Sequence, residues 1–502
     1  MRVLGRRCGL VFVVALLAPV SAPRAAVVHR VVTGRSIAQE LRAGHSVERT
    51  GLLVNGPLDL TGLAEVRGTF KCHQCAFLGR VAAPNVTFDR TLDLSGSAFG
   101  YDVDFRGSSF HGPVLLRAVE KNESDFRSAA AGSATRASHF FGKTDFSLAV
   151  FEDFASFSGS VFKGPVAFRD TRFSDVAFNK TTFGSAAFDR ASFRGAALFN
   201  GATFQEWAAF GQTDFRRRTD FSIAEFHGAD FTGAEFASGA SFLAATFYGS
   251  PDDTARFETV ASGGDINFRF AIFPPPEAGE SVTPVFSDFV CAGSLVLRDL
   301  DITADFGLVM DNLQVRDLSM DVGLVAHVDD VGDQKTVLGL IEKSAKARDD
   351  LGEANDAHYE LQVLRSRSYN LVEQSLDYVF YRGLAGYLVR PFRPLAALVV
   401  LAVLLSLARV AVRRAAPDEV PVRVRSRSRN VLTWTGRRCG DFLGCFLDTL
   451  ALAGPRRGGD PNVKPPVGAR IEIFSYRLLL VCVLLGLANS NPTLRQMVDT
   501  LL

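Results

Sequence analysis

Ala229-Asp230-Phe231-Thr232-Gly233-Ala234-Glu235-Phe236-Ala237-Ser238 says one thing twice: a small residue, a polar one, Phe, then two small or polar residues. Reading outward from it, Phe recurs at 162, 168, 173, 178, 183, 188, 193, 199, 204, 210, 215, 221, 226, 231, 236, 242 and 247. Every step is five or six residues. A small residue stands two places before many of these Phe, as at Ala186, Ala191, Ala202, Ala208, Ala224, Ala229, Ala234 and Ala245. Leu94, Phe99, Phe105, Phe110 and Leu116 make looser rungs upstream. Five residues advance an α-helix by about 500°, which would scatter the Phe over its whole surface. A flat strand of period two fails as well. A coil of four short sides fits, each side turning one large and one small residue inward, with stacked coils pairing their backbones along the axis. Phe168, Phe173, Phe178, Phe183, Phe188, Phe193, Phe226, Phe231 and Phe236 are then expected in a structural stack.

This pattern resembles the pentapeptide-repeat family over roughly a third of the chain. The resemblance implies a right-handed quadrilateral β-helix. Strict family members step by five, so the six-residue steps need an extra residue at some corners. Gly164, Gly195 and Gly239 fall inside such steps and are expected to relax the backbone there. The steps Phe204 to Phe210 and Phe215 to Phe221 contain no Gly and stay unexplained. Open solenoid ends need caps. Residues 27–82 are read as the N-terminal one, with a short helix at Ser36–Gly44; 83–250 as the repeat; and 251–332 as less regular coils.

Composition supports a repeated slot of one shape: 43 Phe stand against 8 Tyr and 2 Trp in 502 residues. The formal charge of +1 gives no drive toward nucleic acid, and the mixed charges of the repeat argue against DNA mimicry. Residues 1–26 read as an export signal: Arg2, Arg6 and Arg7, then apolar Gly9 to Leu17, then small residues. Cleavage after Ala22 satisfies the small-residue rule, although Pro23 is unfavourable, so an uncleaved anchor is the alternative.

Helical patterning begins near Asp333. Residues 333–378 read as a hairpin neck similar to one tetratricopeptide unit, and a single unit is structural rather than a peptide-binding array. Gly386-Tyr387-Leu388-Val389-Arg390-Pro391-Phe392-Arg393 follows. It resembles a juxtamembrane motif of pentapeptide-repeat membrane proteins at Gly386, Tyr387, Arg390, Pro391 and Arg393, with Leu388 in place of a second Gly. Residues 379–502 read as a membrane module with spans at about 395–412 and 471–488. Arg413, Arg414, Arg423, Arg425, Arg427 and Arg429 place the intervening segment in the cytoplasm, hence residues of about 27–390 outside. Span, short apolar segment (Phe442 to Ala453), span resembles a two-helix pore module. Gly454-Pro455-Arg456-Arg457 supplies no carbonyl filter and sets two positive charges at the mouth.

Chemistry-bearing motifs are few. Gly142-Lys143-Thr144 imitates a phosphate loop, but position 137 is Ala137 and no helix follows. Cys72-His73-Gln74-Cys75 offers a redox pair or two core positions. Asp305-Phe306-Gly307 lacks the partner motifs of a kinase. Asp230 and Glu235 fall on outward positions. The expectation is a membrane-anchored, non-enzymatic structural or interaction protein with no catalytic residue, no metal and no cofactor. Its partners are the membrane and another protein, with homo-oligomerisation open and nucleic acid not expected. The alternatives are an ion-channel-like protein and an envelope redox protein using Cys72 and Cys75.

Overall fold

The computed structural model describes residues 30–119, 136–248, 255–274, 283–303 and 306–378, with isolated positions 382, 396, 399, 400, 403, 404 and 407. The export signal, the juxtamembrane motif and the second span lie outside the described residues, as does most of the first. Among the described residues no helix is long and apolar enough to cross a membrane.

From Val31 to Met320 the chain is a parallel β-solenoid of about twelve turns, each made of four short strands. In one turn these are Thr182–Phe183 (side 1), Ala186–Ala187 (side 2), Ser192–Phe193 (side 3) and Ala197–Leu198 (side 4). Thr203–Phe204 then returns to side 1. Side 1 stacks into a 12-stranded sheet and side 2 into an 11-stranded one. Sides 3 and 4 form a single 21-stranded sheet, because Val290–Leu297 pairs with strands of both sides.

Register puts like on like. Phe162, Phe183, Phe204, Phe226 and Phe247 are side-1 neighbours on consecutive coils. Their rings stack at 5.5, 4.9, 4.9 and 5.1 Å, close to the spacing of about 4.8 Å between paired strands. Near-parallel rings at these centroid separations fall within the favoured range for stacked aromatic pairs. Opposite sides meet edge to face: Phe188 stacks on Phe168 and Phe210 at 5.0 and 4.9 Å and meets Phe178 and Phe199 at 79° and 89°. All nine Phe expected in the stack are buried, at 0–1% exposure. The stacking also runs beyond the expected repeat boundary at 250, through Phe257 and Phe268 to Phe286.

The two step lengths follow from two kinds of corner. After side 2 and after side 4 the chain turns through a residue of positive φ two places beyond the inward Phe: Asp170, Lys180, Arg190, Gln212, Ile223, Ala244 and Gly201 among them. The next amide closes the turn on the Phe carbonyl, as from Thr181 to Phe178 at 3.1 Å and from Ala191 to Phe188 at 2.9 Å. From Phe162 to Phe247 every step across these two corners is five. The six-residue steps all fall at the other two corners, including Phe204 to Phe210 and Phe215 to Phe221; those corners lack the closure except after Phe236, where the Gly239 amide reaches the Phe236 carbonyl at 3.1 Å. The glycine explanation therefore needs correction. Only Gly239 has positive φ, at +82°. A Cβ on Gly164 would lie 2.3 Å from the Gly142 carbonyl oxygen, and one on Gly195 would lie 2.2 Å from the Asp175 carboxylate. These two are glycine because coils pack close, not to relax a corner.

Both ends are closed. Helix α1 (Gly34–Arg42) starts under a Thr33 cap that accepts from the Ser36 amide and buries Ile37, Ala38 and Leu41 on the first coil. At the other end α2 (Val331–Ala347) and α3 (Leu351–Ser366) form the hairpin. Val337, Leu338 and Ile341 join the same core as the Phe stack. The Leu318 amide of the last long strand donates to Ser344 Oγ at 2.8 Å. Thus the segment read as a neck also serves as the C-terminal cap. A short helix α4 (Leu371–Leu376) follows under an Asn370–Glu373 capping box.

Candidate functional surfaces

The inward positions leave no room for a ligand inside the coil. What is not Phe there is a buried aliphatic or a small residue, and several buried hydroxyls are tied to the coil beneath: Ser97 donates to the Cys72 carbonyl at 2.7 Å, Thr171 to Phe146 at 2.8 Å and Thr181 to Phe157 at 2.9 Å. Each satisfies a carbonyl that would otherwise face apolar surroundings. Chemistry, if any, belongs to the outside.

Cys72 and Cys75 form a disulfide with Cα atoms 5.7 Å apart, and both are buried, at 0 and 1% exposure. They occupy the inward slots on either side of one corner, with Gln74 at the positive-φ position; there the Ser97 hydroxyl bridges the Cys75 amide and the Cys72 carbonyl in place of the direct backbone closure. Cys72 thereby stacks with Leu94 of the next coil, and Cys75 lies between Leu52 and Ser97. Beside them His73 Nε2 lies 2.7 Å from Asp93 Oδ2. Cys291 is buried, and burial raises its thiol above the ordinary value.

The outside carries ion pairs between successive coils. Asp104 sits between Arg80 and Arg106 at 3.0 and 2.9 Å. Burial pushes its carboxyl up, but hydrogen bonds from Arg106 and the charges of Arg106 and Arg80 outweigh that and hold it below the usual carboxylate value. Asp170 is lowered by hydrogen bonds from Arg190, and Arg169 pairs with Asp189 across the same two coils.

The remaining sequence motifs find plain places. Lys143 begins side 2, its amide donating to Asp102 Oδ1 at 3.0 Å, and Thr144 is buried with no hydrogen-bond partner for its hydroxyl. Phe306 is core. Asp230 is half-buried on an outward position and Glu235 is exposed. No group of metal-ligating side chains occurs among the described residues. A cavity of about 480 Å³ lies against the C-terminal cap, with Val325, Leu338 and Leu364 beside Asp356, Glu360 and Arg367.

Two features escaped the sequence reading. The closed corners are marked by a residue type as varied as Asp, Lys, Ile and Gly, so only the fixed step of five betrays them. The Cys-x-x-Cys reads in sequence as a redox pair or as two core positions; the structure puts both cysteines in core positions and joins them in a disulfide across the corner. No protein-family model matches the chain, and no curated protein is significantly similar to it.

Proposed function

We propose that this chain is a membrane-anchored member of the pentapeptide-repeat family. Its right-handed, four-sided β-helix stands outside the cytoplasm as a rigid, non-enzymatic surface for another component of the envelope. The observation that carries the reading is the Phe-on-Phe register through four columns, which spends the interior on rigidity and leaves the outer faces to recognition. The buried Cys72–Cys75 disulfide suits an oxidising exterior. It also speaks against a thiol-exchange role, since exchange needs an accessible sulfur. The basic run after residue 412 and the segment read as an export signal support this orientation.

Topology tests it. Alkaline phosphatase fused after residue 260 should be active, and fused after residue 430 inactive; the reverse pattern overturns the exterior placement. Purification of the detergent-solubilised full chain should bring down a defined envelope protein in stoichiometric amount.

A further inference from the structure

Four consecutive coils stack the corner between side 1 and side 2: Leu78-Gly79-Arg80, Gly100-Tyr101-Asp102, Phe141-Gly142-Lys143 and Lys163-Gly164-Pro165, with Gly in second place on three of them and in first place on the coil that carries Tyr101. The register Val81, Val103, Thr144, Val166 stacks these corners directly on one another. Leu78 and Phe141 therefore share the first corner place two coils apart, and Tyr101 takes the second place on the coil between, so three large apolar side chains mark one outer corner of the rod. Leu78, Tyr101 and Phe141 are 47, 61 and 49% exposed. The glycines make the row compact: a Cβ on Gly79, Gly142 or Gly164 would lie within 2.6 Å of backbone on the coil beneath.

The charges around the row are layered. Arg80 and Lys143 side chains are 56 and 59% exposed, whereas the carboxylates they pair with, Asp104 and Asp145, are 7 and 13% exposed. The Lys163 ammonium sits 5.2 Å from the centre of the Phe141 ring, with no carboxylate paired to it among the described residues. Anions thus lie beneath and cations outermost. Exposed apolar side chains gathered on one corner of consecutive coils point to an interaction surface, aromatic anchors dominate such surfaces, and the cationic rim sets the sign of the partner.

We propose that this corner, from Leu78 to Lys163, is the docking ridge for an acidic polypeptide segment of a partner protein. The partner's apolar side chains sit on Tyr101 and Phe141, and its carboxylates meet Arg80, Lys143 and Lys163. Asp102, the one exposed carboxylate at the corner, favours a partner whose backbone amides or hydroxyls face that coil. The assignment deepens the interaction reading of the rod but is independent of membrane topology, so a misplaced phosphatase fusion leaves it standing.

The probe is a fluorescein-labelled peptide alternating Glu with Leu and Trp, titrated against the detergent-solubilised full chain. Its control is the same peptide with Lys for Glu. Saturable binding should weaken about tenfold or more in Tyr101→Ser and in Phe141→Ser, a loss typical of anchor residues. It should weaken again as salt rises. Lys163→Glu should abolish the preference for the acidic peptide without touching the aromatic row. Both ring positions point outward, and an unchanged melting temperature confirms that each variant is folded. Undiminished binding in both serine variants, equal binding of the lysine peptide, or no binding to the wild type overturns the assignment. So does a wild-type dimer that Tyr101→Ser dissociates, since the occupant is then a second copy.

Discussion

The first coils and the middle coils have the same corners, the same strand length and the same parallel register, yet they are filled differently. Between Val31 and Leu116 the inward columns mix Val54, Leu58, Leu60, Val66, Leu92 and Leu94 with Phe, and one corner is joined by Cys72–Cys75. Between Phe140 and Phe286 nearly every large inward slot is Phe. The pitch of the coil is therefore set by backbone pairing and closed corners, and the side chains must fit it. Phe fits in a self-repeating way, ring above ring. Leu and Val fill the same width without the ring contacts, and there a covalent link adds what stacking does not.

The sharpest way to break that comparison is to charge the stack. Phe188→Asp or Phe231→Asp combines a cavity with a buried carboxylate and should cost on the order of 4–5 kcal/mol, enough to melt neighbouring coils. Chemical denaturation with a Phe-environment probe measures it; a loss under about 1 kcal/mol would mean the interior is not close-packed. A smaller effect tests the opening coils. Cys72→Ser with Cys75→Ser should lose about 2 kcal/mol by loop-closure entropy, and the loss should appear as earlier opening of residues 30–116 in hydrogen exchange while the middle coils keep their protection. Uniform loss along the rod would show that the two regions are one cooperative unit.

Thr181→Ala removes an inner hydroxyl from the carbonyl of Phe157 and should cost about 1 kcal/mol. At the equivalent slot of the next coils Ala202 and Ala224 already lack it, so no comparable loss is available there. Acid sharpens the outer layer. Because Asp104 is held below its ordinary value, its ion pairs stabilise the fold above the usual carboxylate range, and that contribution is lost as pH falls through the lowered folded-state value. Melting temperature should therefore hold through mildly acidic pH and fall only once pH drops below the ordinary carboxylate range, and Arg106→Gln should flatten the fall. The smallest expected effect is Thr232→Lys, on an outward position, within about 0.5 kcal/mol of wild type.

How much of this was legible depended on whether the chain could be counted. Where Phe follows Phe without interruption, from 162 to 247, the spacing alone led to the coil and to its inward residues. Residues inserted between coils defeat counting without disturbing register: Phe99 pairs with Phe140 across 41 positions as directly as Phe162 pairs with Phe183. The upstream rungs and the coils past 250 looked irregular for that reason. The corner rule was hidden differently. A positive φ is a backbone state that Asp170, Lys180 and Ile223 adopt under the tension of the turn, and side-chain identity reports it poorly. The exterior row of Leu78, Tyr101 and Phe141 was invisible because its members are remote in sequence and only stacking makes them neighbours.

The axial direction of the hydrogen bonds has a mechanical meaning. Each coil is held to the next by a few bonds lying parallel to the rod, so a load applied between the two termini acts on the interfaces in series. Stretching such an object peels it from an end one turn at a time, at a force that stays nearly constant with extension, while bending it strains all four columns together. The helices over the first and last coils are thus the points at which yielding begins, and the Phe-filled middle is the last part of the chain to feel the pull.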